Sequence, residues 1–338
     1  MKTILIVDDI INKKYLKNKN VDIFLLNSGK KKIERFSNEI FGCTHSTIIA
    51  QILERNVKKT FKIINIALEC DEEKRIDIED LSIALEKGLD YDINVINLSI
   101  GSRRLSDIKY LKKVIKKIND RNIPIISSIS NSMNMTIPAS LEGCIGVVND
   151  FDNIYPPQKI INVEENILGI NYLVNSAKLF ENEFYKPSNS YSTAYVSAAY
   201  LNSEQFKDEN KIIFKRNREK GSCTFKINFV NFEEYLEIVS IFIEKYNIEA
   251  VGVLLDKKRA LLFSTNEIKY YRMEEVDDVI KTIVCDIVLI FSSENMENIM
   301  DLIVTKNRDN IILEDYKGSI EYIQYDLQKI VEKIIKII

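Results

Sequence analysis

Thr3-Ile4-Leu5-Ile6-Val7-Asp8-Asp9 opens the chain with an unbroken apolar run that ends on two carboxylates. A strand that is apolar on both faces needs cover on both faces, which suits a parallel sheet between helices better than a half-solvated antiparallel one. Runs of the same kind recur at residues 22–26, 61–67, 94–98, 124–128 and 144–148. Segments of helical period lie between them, at 46–55, 76–87, 105–119 and 190–201. The alternation predicts an α/β fold with a parallel sheet and helices on both faces. Such sheets keep their chemistry at the carboxyl ends of the strands. Polar residues just after a strand, or in the first turn of a helix, are therefore the ones to weigh.

Residues 204–220 interrupt this rhythm with a charged, apolar-poor stretch that includes Lys207, Asp208, Glu209, Lys211, Lys215, Arg216, Arg218, Glu219 and Lys220. It reads as a linker between a domain of residues 1–203 and a smaller α/β domain of residues 221–338. In the second part the patterns predict strands at 224–229, 250–255, 259–264 and 286–291, and helices at 233–246, 274–283, 294–304 and 321–338. The last helix would put Ile323, Leu327, Ile330, Ile334 and Ile337 on one stripe. That stripe reads first as core packing and second as a seam between copies in a homo-oligomer. Lys257-Lys258-Arg259 reads as a solvated hairpin turn ahead of a contact for an acidic peptide. No internal repeat is visible.

The chain has 338 residues, 46% apolar and 29% charged, enough for two domains with real cores. Only 10 Gly and 5 Pro exclude collagen-like and low-complexity sequence. A formal net charge of −3 supplies no polyelectrolyte drive toward nucleic acid. No run approaches the ~18 apolar residues of a membrane span, and the N-terminus lacks the apolar run of about 7–15 residues of a secretory signal. A cytoplasmic protein without a membrane partner is expected. The five cysteines (Cys43, Cys70, Cys144, Cys223, Cys285) share no CxxC spacing, and there is one histidine. Reduced thiols, no metal and no cofactor are the expectation.

Four stretches carry candidate chemistry. Asp8 and Asp9 at a strand end suit a metal-binding phospho-acceptor site, but that reading needs a second acceptor Asp, and Val95-Ile96-Asn97-Leu98-Ser99 ends in Asn and Ser. The sole histidine, His45, begins a helical segment in which Ser46, Thr47 and Ala50 are small enough for a close neighbour. Ser188-Asn189-Ser190-Tyr191-Ser192-Thr193 is a Ser-rich helix start, which taken alone is an N-cap. Ser127-Ser128-Ile129-Ser130-Asn131 closes a buried run, where Asn taken alone is a turn residue.

Their order is more specific than any one of them: Asp, His, Asn, Ser, each at a strand end or helix start. Across residues 1–203 the chain resembles the subtilisin-like serine peptidases (subtilases). Ile6-Val7-Asp8 resembles the strand and Asp of the family's Asp box. His45-Ser46-Thr47-Ile48-Ile49-Ala50-Gln51-Ile52 resembles its His-Gly-Thr-x-Val-Ala-Gly-Ile box. Val95-Ile96-Asn97-Leu98-Ser99-Ile100-Gly101 is similar to its Val-Ile-Asn-x-Ser-Leu-Gly strand, and 123–131 to the strand leading to its oxyanion Asn. Ile137-Pro138-Ala139-Ser140 resembles its Tyr-Pro-Ala-Ser turn, and 188–198 aligns without gaps on Gly-Thr-Ser-Met-Ala-Thr-Pro-His-Val-Ala-Gly. Departures are Ser46, Ser130 and Ser188 where the family has Gly, Asp9-Ile10 where it has Ser/Thr-Gly, and Ala194-Tyr195 where it has Pro-His. Ser130 is expected to narrow the channel beside the first specificity pocket.

The resemblance implies a serine endopeptidase in which Asp8, His45 and Ser190 form the triad and the Asn131 amide donates to the oxyanion. It implies a peptide or protein substrate lying extended along Leu98, Ser99, Ile100 and Gly101, with Ser128, Ile129 and Ser130 on its other side. Asp9 is expected to be solvated or paired, as a rival of Asp8. Because the chain starts close to its Asp strand, an inhibitory prodomain is not expected, and no carboxylate-rich calcium loop is evident. A dedicated processing peptidase, for instance one removing the leader of a ribosomally made peptide, is the expected role. The alternative is a catalytically impaired relative that binds peptides without cutting them. Residues 221–338 resemble no family.

Overall fold

The computed structural model describes residues 1–37, 40–70, 76–166, 168–176, 186–204, 211–214, 223–246, 248–256, 259–293, 300–307, 310–315, 320–324 and 326–337. Most of the charged stretch 204–220, and Lys257 and Lys258, lie outside them. The chain forms two compact units, one of Met1–Ser102 with Tyr110–Asn217 and one of Arg218–Ile338 with Arg103–Lys109.

The first unit runs β1 (Lys2–Asp8), β2 (Val21–Asn27), β3 (Lys32–Arg35), α1 (His45–Asn56), β4 (Phe61–Ala67), α2 (Ile78–Gly88), β5 (Val95–Leu98), α3 (Ile108–Asn119), β6 (Ile125–Ser128), β7 (Cys144–Asn149), β8 (Ile160–Asn162), β9 (Ile170–Val174) and α4 (Asn189–Leu201). Its nine strands lie in the order β3-β2-β4-β1-β5-β6-β7-β9-β8. Every pair is parallel except those made by the edge strands β3 and β8. This is the expected α/β architecture.

Period-two alternation along β1 explains the cover on both faces. Ile4 and Ile6 join a core with Ile48, Ile49, Ile52 and Leu53 of α1 and Ala194, Val196 and Ala198 of α4. Leu5 points the other way, against α2, where a Cβ on Gly88 would fall 2.3 Å from Leu5 Cδ2. Ile4, Leu5, Ile6 and Val7 are all fully buried. β1, beside the middle strand β5, is thus apolar from Ile4 to Val7, and its first polar residue past the core is Asp8.

The second unit runs β10 (Cys223–Val230), α5 (Tyr235–Ser240) with a π-helical turn at Ile241–Lys245, β11 (Ala250–Asp256), β12 (Arg259–Phe263), β13 (Glu267–Arg272), α6 (Val276–Ile280), β14 (Cys285–Ser292), β15 (Leu302–Asn307), β16 (Asn310–Asp315), β17 (Ile320–Gln324) and α7 (Leu327–Ile337). The strand order is β13-β12-β11-β14-β10-β15-β16-β17. One face is a core of Phe229, Phe263, Phe291, Leu289 and Val304 under Phe242 and under Ile330, Val331 and Ile334 of α7.

Two predicted helices are corrected here. Residues 302–304, expected at the end of a helix, lie in β15, and residues 294–299 of that prediction are outside the described residues. Residues 321–324, expected to start the last helix, lie in β17, where Ile323 pairs with Ile311. Apolar spacing there fits either period. What ends the ambiguity is Asp326, whose Oδ1 accepts from the N–H groups of Gln328 and Lys329 and so starts α7 after it. The stripe residues Ile330 and Ile334 are core packing.

No repeat is visible in the sequence, but the strand topology of this unit is two-fold. About the central pair β14 and β10 the sheet is arranged as two like halves. Each half is a strand, a crossover and a three-strand meander, and each lends its first strand to the other half's meander. The two first strands pair in parallel, Cys223 opposite Cys285, Ile227 opposite Leu289 and Phe229 opposite Phe291. The phenylalanine rings stack with centroids 5.1 Å apart.

Gly146 in β7 tests how tightly the first unit is built. A Cβ there would stand 2.3 Å from the carbonyl oxygen of Gly169, a backbone atom with no freedom to swing aside. Gly146→Ala is expected to cost about 1–3 kcal/mol, read as a lower urea midpoint. An unchanged midpoint would show that the β7–β9 contact yields freely.

Candidate active site

Asp8 ends β1 and is only 5% exposed. A buried carboxylate needs donors, and Asp8 has three. The N–H of Asp9 donates to Oδ1 at 2.8 Å, His45 Nδ1 donates to Oδ2 at 2.7 Å, and the Ser99 hydroxyl also donates to Oδ2. His45 is the first residue of α1, with Thr44 as N-cap. With Nδ1–H held by Asp8, the neutral ring presents Nε2 as its acceptor. The Tyr191 ring flanks the imidazole, with centroids 5.1 Å apart.

Ser190 sits in the first turn of α4, whose N-cap is Ser188. Its hydroxyl donates to the Ser99 carbonyl at 3.3 Å and makes no hydrogen bond to the imidazole. Asn131 is reached through its neighbour Asn189, whose N–H donates to Asn131 Oδ1 at 3.2 Å. That bond assigns the amide orientation and leaves the Asn131 NH₂ without an acceptor among the described residues. Asp8, His45, Ser99, Ser190 and Asn131 therefore gather around the carboxyl ends of β1, β5 and β6 and the first turns of α1 and α4.

Leu98, Ser128 and Ile129 are buried, Ser99, Ile100 and Ser130 half-buried, and Gly101 exposed. Just past Gly101 the backbone makes an isolated antiparallel bridge to Ile137, Ser102 N–H donating to Ile137 O at 2.8 Å and Ile137 N–H to Ser102 O at 2.7 Å. The three serines at the family's glycine positions each use their hydroxyls locally. Ser46 Oγ donates to the Asp9 carbonyl at 2.9 Å, Ser130 Oγ accepts from Asn134 N–H at 3.0 Å, and Ser188 Oγ accepts from Tyr191 N–H at 3.3 Å. Asp9 does not compete for the imidazole; its carboxylate accepts from the backbone N–H groups of His45 and Ser46.

Three buried amides that sequence reading left aside hold these pieces in place. Asn65, in the middle of β4, accepts from Ile11 N–H at 3.0 Å and donates to the carbonyls of Ile6 and Asp9, so it shapes the turn that follows Asp8. Asn97 donates to Thr193 Oγ1 at 3.0 Å and Ser197 Oγ at 2.9 Å, and Thr193 Oγ1 donates to the Ser190 carbonyl at 2.6 Å. Asn189 donates to the carbonyls of Ile129 and Ser130 at 3.0 and 3.1 Å. A polar residue inside an apolar strand was the available signal for Asn65 and Asn97; a polar residue before Ser190 was the signal for Asn189.

Burial alone would lower the His45 pKa; the hydrogen bond that the ring donates to Asp8, the charge of Asp8 and the charge of Asp9 outweigh that and raise it above 6.5. Asp9 is raised as well, first by burial and then by the adjacent Asp8, against the N–H donors that favour its charge. Burial and Asp9 push the Cys43 thiol up. Among the described residues no group of His, Cys, Asp and Glu could hold a metal, and no helix is long and apolar enough to cross a membrane.

No family model and no curated protein matches the chain. Among solved structures it is similar to the prenylagaramide maturation protease PagA, at 19% identity over 59% of this chain and 74% of that one, TM-score 0.40. It is similar to a lanthipeptide protease at 14% identity over 59% and 72%, TM-score 0.45. The epidermin leader peptide processing serine protease from Staphylococcus aureus follows at 12% identity over 59% and 64%, TM-score 0.43. Likeness of this degree assigns neither an activity nor a substrate to the chain.

The lone histidine makes its titration directly readable by NMR. Its ring is expected to titrate above 6.5, and Asp8→Asn to lower that midpoint. A raised folded-state value means that the pair's contribution to stability is full below pH 6.5 and is lost as pH rises through the folded value. A midpoint at or below 6.5 in the unaltered protein would show that burial of the ring outweighs the two carboxylates.

Proposed function

We propose that the chain is a serine endopeptidase acting through Asp8, His45 and Ser190, with Asn131 as oxyanion donor. The observation that carries this reading is the 2.7 Å bond that ties His45 Nδ1 to the buried Asp8 carboxylate, which leaves Nε2 to take a proton. A serine hydroxyl is a poor nucleophile until a base removes its proton during attack. Rotation about χ1 of Ser190 would exchange the Ser99 carbonyl for Nε2, a move between staggered wells. As Oγ bonds to the substrate carbonyl carbon, its proton passes to Nε2, and the C=O pair becomes an oxyanion facing the Asn131 NH₂. The imidazolium then protonates the leaving amine as the C–N bond breaks, and water repeats the sequence on the acyl-enzyme.

The substrate is a peptide or protein segment that lies extended, its backbone along 98–101 and 128–130. Residues 1–203 constitute the peptidase domain in this reading, 204–220 the linker and 221–338 a second domain. The Ser130 side chain, half-buried where the resemblance has glycine, supports a narrow choice of substrate. We extend the proposal to a dedicated processing peptidase, such as one that removes the leader of a ribosomally made peptide. A cytoplasmic setting suits the thiols Cys43 and Cys144, which form no disulfide. A peptide-binding relative without turnover is the second reading, favoured by the bond from Ser190 to Ser99 instead of to His45.

A fluorophosphonate probe is expected to label Ser190 in the folded protein, and Ser190→Ala and His45→Ala to abolish labelling. Absence of label on folded protein would favour the binding module. On a cleaved peptide, Asn131→Ala is expected to lower kcat by about 10²–10³, the size known for removal of such a donor from subtilisin. A peptide library should show few cleaved sequences; broad digestion of casein would exclude the dedicated role.

A further inference from the structure

Asp9 occupies a position where the resemblance leads to Ser or Thr, and it points its carboxylate into the helix that carries the imidazole. Oδ2 accepts from the backbone N–H of His45 at 2.9 Å and Oδ1 from that of Ser46 at 2.7 Å. These are first-turn donors with no partner inside the helix, at its positive end. The ordinary cap is already supplied by Thr44, whose Oγ1 accepts from Thr47 N–H at 3.2 Å. Asp9 is thus a second clamp, with both oxygens engaged. Its own backbone is held in turn, its carbonyl accepting from Ser46 Oγ at 2.9 Å and Asn65 Nδ2 at 3.2 Å. Asp8 grips the ring of His45 and Asp9 grips its main chain.

The groups around this pair come from three directions. Asp8 faces the imidazole from β1, the Cys43 thiol precedes α1, and the Tyr191 ring covers the imidazole from α4. The charges that act on the ring are those of Asp8 and Asp9.

We propose that Asp9 is a positioning residue that fixes the first turn of α1 and adds a second negative charge beside the imidazole, so that the site opens only above a pH that Asp9 helps to set. The consequence for catalysis rests on the peptidase reading; the effect on the imidazole does not. A general base acts only when neutral. The raised His45 pKa therefore switches the site off as pH falls through it. Loss of the Asp9 charge lowers that value and lets the site work in more acid solution.

The test uses the full chain with Asp9→Asn, which keeps one acceptor oxygen and drops the charge, Asp9→Ala, which drops both, and Asp9→Glu, which keeps the charge. NMR titration of the single histidine and fluorophosphonate labelling against pH are read in parallel. The midpoint is expected to fall in Asp9→Asn and Asp9→Ala and to stay near the unaltered value in Asp9→Glu. Below pH 6.5, Asp9→Asn is expected to label several-fold faster than the unaltered protein. The high-pH rate is expected to drop about ten-fold or more in Asp9→Ala, where the turn is unclamped, and much less in Asp9→Asn. A His45 midpoint unmoved in folded Asp9→Asn overturns the proposal, and that variant decides if Asp9→Ala fails to fold. A midpoint that falls while the unaltered protein never labels would sink the peptidase reading and leave the control by Asp9 standing.

Discussion

A carboxylate buried at the end of a central strand imposes conditions on everything near it. Desolvation of such a charge costs several kcal/mol, and only well-placed donors offset it. Asp8 is satisfied by a donor from its own turn, one from the start of α1 and one from the segment after β5. Three pieces of chain far apart in sequence are thereby brought to one point. Ser99 extends the arrangement, since its hydroxyl serves Asp8 while its carbonyl receives Ser190. Removing any donor would leave charge in a poorly solvated place, which is why the strand end, the start of α1 and the first turn of α4 form one mechanical assembly.

Buried amides perform the same office where charge would be too costly. Asn65, Asn97 and Asn189 are fully buried and each joins backbone or hydroxyl groups on separate elements. Directional hydrogen bonds inside a core specify one arrangement more sharply than apolar packing, which tolerates sliding. The serines at the family's glycine positions extend the pattern. Their hydroxyls close short local bonds, so the loops around the site gain definition along with bulk.

Much of this was legible in the sequence because the decisive residues stand at boundaries. Asp8 follows an apolar run, His45 and Ser190 open helices, and Asn131 follows a strand, so a break in hydrophobic pattern marks each. Asn65 was hidden for the opposite reason: it lies inside an apolar run, and nothing local says which loop it will bind. The role of Asp9 was hidden too, because its partners are backbone N–H groups, which carry no sequence label. In the second unit, residues 302–304 and 320–324 have apolar spacing that fits both periods, and pairing with β10 and β16 decided for strand. The two like halves escaped notice because what they share is strand order and pairing, which local sequence does not display.

The exchange of first strands in the second unit bears on how that unit comes into being. β10 has no lasting neighbour until β14 and β15 exist, since it lies between them and pairs with both. The β11–β13 meander likewise joins the sheet only through β14. A ribosome that has released only the first half has therefore made strands that await partners still to be synthesised. Closing so long a loop brings an entropic cost before any contact rewards it. Assembly of this body is consequently late, and a chain cut short before β15 would leave one edge of β10 unpaired instead of a smaller domain.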